Sequence, residues 1–332
     1  LKGFIVLKDD ILAALREAQG YCSGQDLCGR FGVTRTAVWK AVAKLKEEGY
    51  RIEARQNRGY LLKTDNDVMN GAELNEVLKD SGFLSGVSFF RQIDSTNLEV
   101  KRIAETGEQG PFLVVADEQT AGRGRRGRTW DSPAGTGIFM SMLLRPEIRP
   151  ENASMLTLVA ALAVAGGIRE TTGLDVGIKW PNDAVIGGKK VCGILTEMHS
   201  DMDEIGYVVP GIGINVNMES FPEEIAATAT SLKLASGKTV RRVSLVASFV
   251  KHFAEYYGTF LKTQDLSELK DLYEKLLVNR GREVLVLDPR GEYRGVAEGI
   301  TLTGELLVKK EDGSVAEVRS GEVSVRGIYG YV

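Results

Sequence analysis

The period of the hydrophobic pattern changes repeatedly along this chain, and that change limits its fold more than any other feature. Over residues 9–18, Ile11, Leu12, Leu15 and Ala18 recur on one helical face. A short helix follows Ser23, a plausible N-cap, and a tight turn at Gly32 leads into a third helix. There Thr34 caps the start, Val38, Ala41, Val42 and Leu45 form the inward stripe, and Gly49 ends it. Residues 51–55 then alternate with period two, Gln56-Asn-Arg-Gly59 supplies a turn, and residues 60–62 return. A helix-turn-helix followed by a β-hairpin is the winged-helix pattern. The polar stretch Thr64-Asp-Asn-Asp-Val68 closes it.

Beyond that break, strand-like runs at 87–90, 112–116, 137–144, 175–179, 191–198 and 207–215 alternate with helical ones, notably 152–171 and 240–261. That texture is mixed α/β. From about Asn279 it changes again to short alternating strands at 284–287, 293–300, 305–309 and 315–319, with turns at Pro289-Arg-Gly and Asp312-Gly. The expected architecture is an α/β multidomain chain: a winged helix-turn-helix over 1–65, a central mixed α/β domain over 66–278 and a small C-terminal barrel over 279–332. A length of 332 residues accommodates that number of domains.

Composition excludes some classes. The formal net charge is only −3, so any nucleic-acid binding has to come from local basic patches. One such patch is the outward face of the third helix, with Arg35, Thr36, Trp39, Lys40, Lys44 and Lys46; a second is the hairpin tip, with Arg55 and Arg58. Winged helices lay the second helix of the pair in the major groove and set basic side chains on phosphates. The plainer alternative is a small helical domain with a solvated basic face; the two tip arginines favour DNA. Cys22, Cys28 and Cys192 cannot complete a disulfide framework, and with two histidines they offer no zinc spacing, so buried thiols are expected and no metal site. The longest apolar run, 155–165, is too short to span a bilayer and reads as a buried helix. With no long apolar segment and cleavage site near the N-terminus, a cytoplasmic protein without a membrane partner is expected.

The chemistry-bearing stretches lie in the central region. There is no Gly-x-x-x-x-Gly-Lys-Ser/Thr loop, and His199 and His252 have no nucleophile motif beside them. Gly122-Arg-Gly-Arg-Arg-Gly-Arg128 instead lets backbone approach a ligand closely while its arginines offer planar cationic forks to carboxylate or phosphate. Its like charges and glycine entropy oppose order, and an anionic ligand offsets both. A disordered RGG-type nucleic-acid segment is the competing reading, but such segments recur, whereas this one occurs once and ends in Trp130. Lys179-Trp-Pro-Asn-Asp183 followed by 187–195 reads as a hairpin that aims Asn182, Asp183 and Lys190 at one end of a sheet; alone, Pro-Asn-Asp is equally an ordinary turn. Gly211-Ile-Gly-Ile-Asn-Val-Asn217 alternates glycine with apolar residues, fitting close approach of a ligand or another backbone. Asp94-Ser-Thr-Asn97 supplies small polar groups that serve a ligand or a helix cap equally well.

These stretches, in this order, resemble the biotin-protein ligase family, and the winged helix makes the resemblance closest to its bifunctional form, ligase and biotin-operon repressor in one chain. The likeness spans essentially the whole sequence. It implies a central domain of the biotin/lipoate ligase type and a C-terminal SH3-like β-barrel. It further implies activation of biotin by ATP, with Mg²⁺ as counter-ion, and transfer of biotin from the adenylate to a lysine of a biotin carboxyl carrier protein. By the same resemblance Arg123, Arg125, Lys190 and Asp183 carry the chemistry. Ser95, Thr96, Asn97, Gln119, Gly122, Arg123, Gly193, Gly211 and Gly213 hold biotin, while Arg125, Arg128, Trp130, Asn182, Lys190, Asn215 and Arg326 hold the nucleotide. Arg35, Thr36, Trp39, Lys40, Arg55 and Arg58 would meet operator DNA, with the protein a homodimer once the adenylate is bound. Thr120 stands where the family pattern is variable and Cys192 where it has a small residue. A vitamin-sensing repressor without catalysis and a lipoate ligase are the competing functions.

Overall fold

The computed structural model describes residues 2–18, 20–63, 67–201, 204–288, 291–319, 324–327 and 331, with backbone alone for 2–6, 201 and 324–327. Contacts divide the chain into two units, 1–68 and 69–332. In the first, short polar side chains decide where helices begin. Helix α1 is Lys2–Glu17; α2 is Gly24–Phe31, where the Ser23 side chain accepts from the Gln25 amide; α3 is Arg35–Glu47, where Thr34 accepts from the Ala37 amide. Gly32, at φ 64°, ends α2 in the left-handed conformation that glycine adopts at least cost. Strands β1 (Ile52–Arg55) and β2 (Gly59–Leu62) pair antiparallel. Ile11, Leu12, Leu15, Val38, Ala41, Val42 and Leu45 form the core, as their helical spacing predicts; Leu27 of α2 joins them, while Ala18 is only half-buried. Each large aliphatic side chain there contributes about 1.5–3 kcal/mol by leaving water.

The second unit opens with α4 (Gly71–Leu78), β3 (Gly86–Phe90), α5 (Thr96–Glu105), β4 (Phe112–Ala116) and β5 (Gly137–Leu143). It continues with α6 (Met155–Thr172), β6 (Gly177–Lys179), β7 (Asp183–Ile186), β8 (Lys189–Asp201) and β9 (Glu204–Asn215). Next come α7 (Glu223–Ala226), α8 (Leu232–Ser236), α9 (Arg242–Thr263) and α10 (Lys270–Leu276). A seven-stranded sheet runs β3-β4-β5-β9-β8-β7-β6, parallel only between β3 and β4. Strand alternation sends Leu113 and Val115 to the side covered by α6 and α9, and Val114 to the side covered by α5. Over β4 and β5 both faces are covered, so these strands are apolar except for Ser141, which is hydrogen-bonded to Thr96 and Asn97. By length and composition α6 is apolar enough to cross a membrane, yet 72% of that stretch is buried against the sheet and α9. It is the expected core helix.

Strands β10 (Glu283–Leu287), β11 (Tyr293–Ile300), β12 (Leu306–Lys309), β13 (Val315–Val318) and β14 (Ser324–Gly327) make a five-stranded antiparallel sheet, ordered β13-β12-β11-β10-β14. The order leaves β13 and β14 at opposite edges, and no pairing among the described residues joins them, so closure into the expected barrel is not confirmed. The expected turn at Pro289-Arg-Gly lies partly outside the described residues. One expectation needs correction, at 179–195. What reads as one hairpin is three strands, because Asp183–Ile186 is itself the strand β7; Lys179-Trp-Pro-Asn-Asp183 is the turn before it and Gly187-Gly188 the turn after. Strand β7 is too short for its alternation to stand out.

Candidate active site and basic head

A cavity of about 950 Å³ opens at one end of the seven-stranded sheet, where the stretches 95–97, 119–131, 179–183 and 190–195 and the ends of β9 meet. One wall is a buried polar network. The Gln119 carbonyl oxygen accepts from the Thr96 amide at 2.9 Å and its hydroxyl at 3.1 Å, so a side chain from another loop satisfies the first turn of α5. Gln119 Nε2 donates to Ser132 Oγ at 3.1 Å. Ser141 Oγ lies 2.7 Å from Thr96 Oγ1 and 2.6 Å from Asn97 Oδ1, and Asn97 Nδ2 donates to Glu197 at 2.7 Å. Ser95 occupies the N-cap position of α5 without a capping hydrogen bond from its side chain, although it is 3% exposed. Of the two uses that the sequence allows for Asp94-Ser-Thr-Asn97, the helix start is therefore present, while its hydroxyl faces the cavity wall.

The arginine-glycine stretch closes on itself above this wall. Gly124 donates its amide to Arg128, Arg128 to Arg125 and Trp130 to Gly122, at 2.7, 3.3 and 3.0 Å, around a single 3-10 turn over Arg125–Gly127. Arg125 reaches inward and donates to Asn182 Oδ1 at 3.0 Å; Asn182 in turn donates to the Ile194 carbonyl. Burial lowers the pKa of the Arg125 guanidinium, Asp183 opposes that shift and Arg126 adds to it; the side chain stays protonated. Arg123 and Arg128 are exposed beside the cavity they help to line. Trp130 lies on Gly193 and Gly213: a Cβ on Gly213 would come 2.5 Å from its ring nitrogen, and one on Gly193 2.9 Å from the ring. A Cβ on Gly211 would lie 2.0 Å from Asn97 Oδ1. The alternating glycines of β9 thus make room for two side chains of the site itself. Trp130 Nε1 is buried with no acceptor among the described residues, the kind of donor that a bound oxygen or nitrogen satisfies.

Across the cavity, Lys190 Nζ sits 2.6 Å from Asp183 Oδ1 and 5.2 Å from the centre of the Trp130 ring. Arg125 and Lys190 therefore converge on one volume, with Arg123 and Arg128 at its edge, opposite the polar network. Asn215 is buried and donates to the Thr230 carbonyl. Gly122 is buried behind Trp130. The side chain of Arg326 lies outside the described residues. Two contributors escape a motif-based reading. Residues 218–229 line the cavity through Met218, Phe221 and Ile225, held by Lys190 backbone bonds to Thr228 and Thr230. Tyr331 donates to Asp183 Oδ2 at 2.5 Å. Neither carries a pattern that separates it from ordinary loop sequence.

In the first unit, Trp39 is 61% exposed on α3, with Arg35, Thr36 and Lys40 exposed around it. Arg35 donates to Gln25 at 2.8 Å. At the hairpin, Arg55 and Arg58 both lie over the Tyr21 ring, 5.5 and 5.7 Å from its centre, and Arg55 pairs with Glu53 at 2.6 Å. The six residues expected to meet DNA all belong to exposed surface of α3 and the wing.

Comparison with known proteins agrees with this geometry. Residues 89–215 match the biotin/lipoate A/B protein ligase family, 8–61 an HTH domain and 281–326 the biotin protein ligase C terminal domain. The bifunctional ligase/repressor BirA of Bacillus subtilis is 35% identical over 96% of this chain and 98% of its own length; that of Escherichia coli is 30% identical over 95% and 96%. The structure of biotin protein ligase from Aquifex aeolicus in complex with biotin and ATP superposes with a TM-score of 0.65 at 35% identity, covering 74% of this chain and all of that one. With a DNA-binding head fused to this catalytic fold, the chain belongs to the family of bifunctional biotin protein ligase/repressors.

Proposed function

We propose that this protein is an ATP-dependent biotin ligase that also acts as a biotin-responsive repressor. The observation that carries the reading is one cavity with a hydrogen-bonding wall at Ser95, Thr96 and Gln119 and a cationic wall at Arg125 and Lys190, rimmed by Arg123. Biotin offers a neutral polar ring at one end and a carboxylate at the other, and these walls match those ends. Its carboxylate oxygen attacks the α-phosphorus of ATP, the bond to the β-phosphate oxygen breaks, and pyrophosphate leaves. Two anions must meet for this, so fixed cations aimed at the developing charge lower the barrier. We assign that role to Arg123, Arg125 and Lys190. Mg²⁺ enters with ATP on its phosphate oxygens, the ordinary arrangement for this ion.

The ring end of biotin rests on Ser95, Thr96, Asn97, Gln119, Gly122, Gly193, Gly211 and Gly213. Trp130 covers the adenine, with Arg128, Asn182, Asn215 and Arg326 completing the nucleotide contacts. In the second step the neutral lysine amine of a biotin carboxyl carrier protein attacks the acyl carbon. The bond from that carbon to the phosphate oxygen breaks, AMP leaves, and Asp183 orients the amine and accepts its proton. Residues 66–278 hold this chemistry, 279–332 the small sheet that closes it, and 1–65 the winged head. The adenylate orders the arginine-glycine stretch, so a later binding event carries less of the ordering cost. The protein then dimerises and sets Arg35, Thr36, Trp39, Lys40, Arg55 and Arg58 on operator DNA. It works in the cytoplasm.

Biotin-dependent exchange of labelled pyrophosphate into ATP tests the catalytic half. Exchange with biotin and none with lipoate is expected; exchange with neither would leave a repressor without an enzyme.

A further inference from the structure

Tyr331 reaches into the cavity and touches both ends of the turn Lys179-Trp-Pro-Asn-Asp183. Its hydroxyl donates to Asp183 Oδ2 at 2.5 Å, and its carbonyl accepts from Lys179 Nζ. The same ammonium lies 3.7 Å from the centre of the Tyr331 ring. Lys179 is 8% exposed, and Lys179 and Asp183 are direct partners in the β6–β7 register. One tyrosine therefore pins one carboxylate from a base that is itself buried and charged.

The two oxygens of Asp183 are divided. Oδ2 holds the phenol, while Oδ1 faces the Lys190 ammonium at 2.6 Å. Lys190 is the cation that an adenylate phosphate draws toward itself. When it turns, Oδ1 is the oxygen left for an incoming amine, and the phenol keeps the carboxylate from following Lys190.

We propose that Tyr331 is a positioning residue for the transfer half-reaction, holding Asp183 Oδ2 so that Oδ1 meets the acceptor amine. This rests on the role given to Asp183 above. Burial raises the pKa of the phenol and the Asp183 charge raises it further, so it remains a donor across the working range of pH. Tyr331 contacts Asp183 and Lys179, neither of which is among the cations assigned to adenylation.

Tyr331→Phe keeps the ring over Lys179 and the carbonyl contact and removes only the hydroxyl. Biotin-dependent pyrophosphate exchange should stay within about twofold, whereas single-turnover transfer from preformed adenylate to a carrier domain should slow about tenfold, the range for a hydrogen bond to a charged group. Asp183→Asn, measured beside it, separates the two ideas. Slow transfer in Asp183→Asn with normal or faster transfer in Tyr331→Phe overturns the positioning role and leaves that of Asp183 standing. Normal transfer in Asp183→Asn overturns both, and an equal loss of both half-reactions in Tyr331→Phe assigns the tyrosine to the fold instead.

Discussion

Single side chains in this site do their work through how closely they approach one another. Gly211 shows it best. Its missing Cβ is the space that Asn97 occupies, and Asn97 ties α5 to β8 through Glu197 and the Leu195 carbonyl. Gly211→Ala would set a Cβ only 2.0 Å from the Asn97 amide oxygen, so it should destabilise the protein by about 1–3 kcal/mol and weaken biotin binding more than ATP binding. Urea unfolding and calorimetric titration of each ligand check this; undiminished biotin affinity would contradict the reading. Much at this scale was legible in the sequence. Alternating glycines in a strand and arginines between glycines announce close approach and anion binding, and Arg125, Asn182 and Lys190 do gather at one cavity. That Gly211 and Gly213 shelter Asn97 and Trp130 was not legible, because nothing local in a strand says which side chain will cross it.

At the scale of elements, α5 is joined to the sheet by an ion pair as well as by its apolar face. Glu197 on β8 accepts from Lys101 at 2.8 Å and from Asn97 at 2.7 Å. Burial alone would raise its pKa, but these two hydrogen bonds and the charges of Lys101 and Arg123 prevail, and its folded pKa lies below the unfolded value. Its stabilisation is therefore fully present above the unfolded glutamate value, about 4.3, and is lost as pH falls through the depressed folded one. Glu197→Gln should lower stability by about 1–2 kcal/mol at pH 6 and by little at pH 3, as followed by urea midpoints. A deficit that does not change with pH would assign the effect to packing. The long helices were legible within two or three residues, since α6 and α9 each sustain an apolar pattern over many turns. The short elements α4, α7, α8, α10 and β7 were not, because too few residues repeat for a period to emerge. Closure of the C-terminal sheet was beyond the sequence too, since alternation fixes which face a residue takes but not whether the edges meet.

For the whole molecule, head and catalytic unit are coupled in the proposed account by the adenylate alone. Operator binding should tighten by an order of magnitude or more when the adenylate is present, and should weaken steeply with salt because the head meets phosphates. Trp39→Ala should reduce that affinity about tenfold while leaving pyrophosphate exchange unchanged, as gel-shift and exchange assays would show, for Trp39 lies on α3 and not at the cavity. The resemblance to the family rests on four short stretches in a fixed order, which is why so much of this was readable in the sequence. Everything still turns on whether the cationic stretch and the polar wall enclose a biotin adenylate. Native mass spectrometry of the full chain after incubation with biotin, ATP and Mg²⁺ measures that directly. The account predicts a retained mass equal to biotinyl-adenylate that disappears when biotin is omitted; an unliganded protein with pyrophosphate unreleased would contradict it.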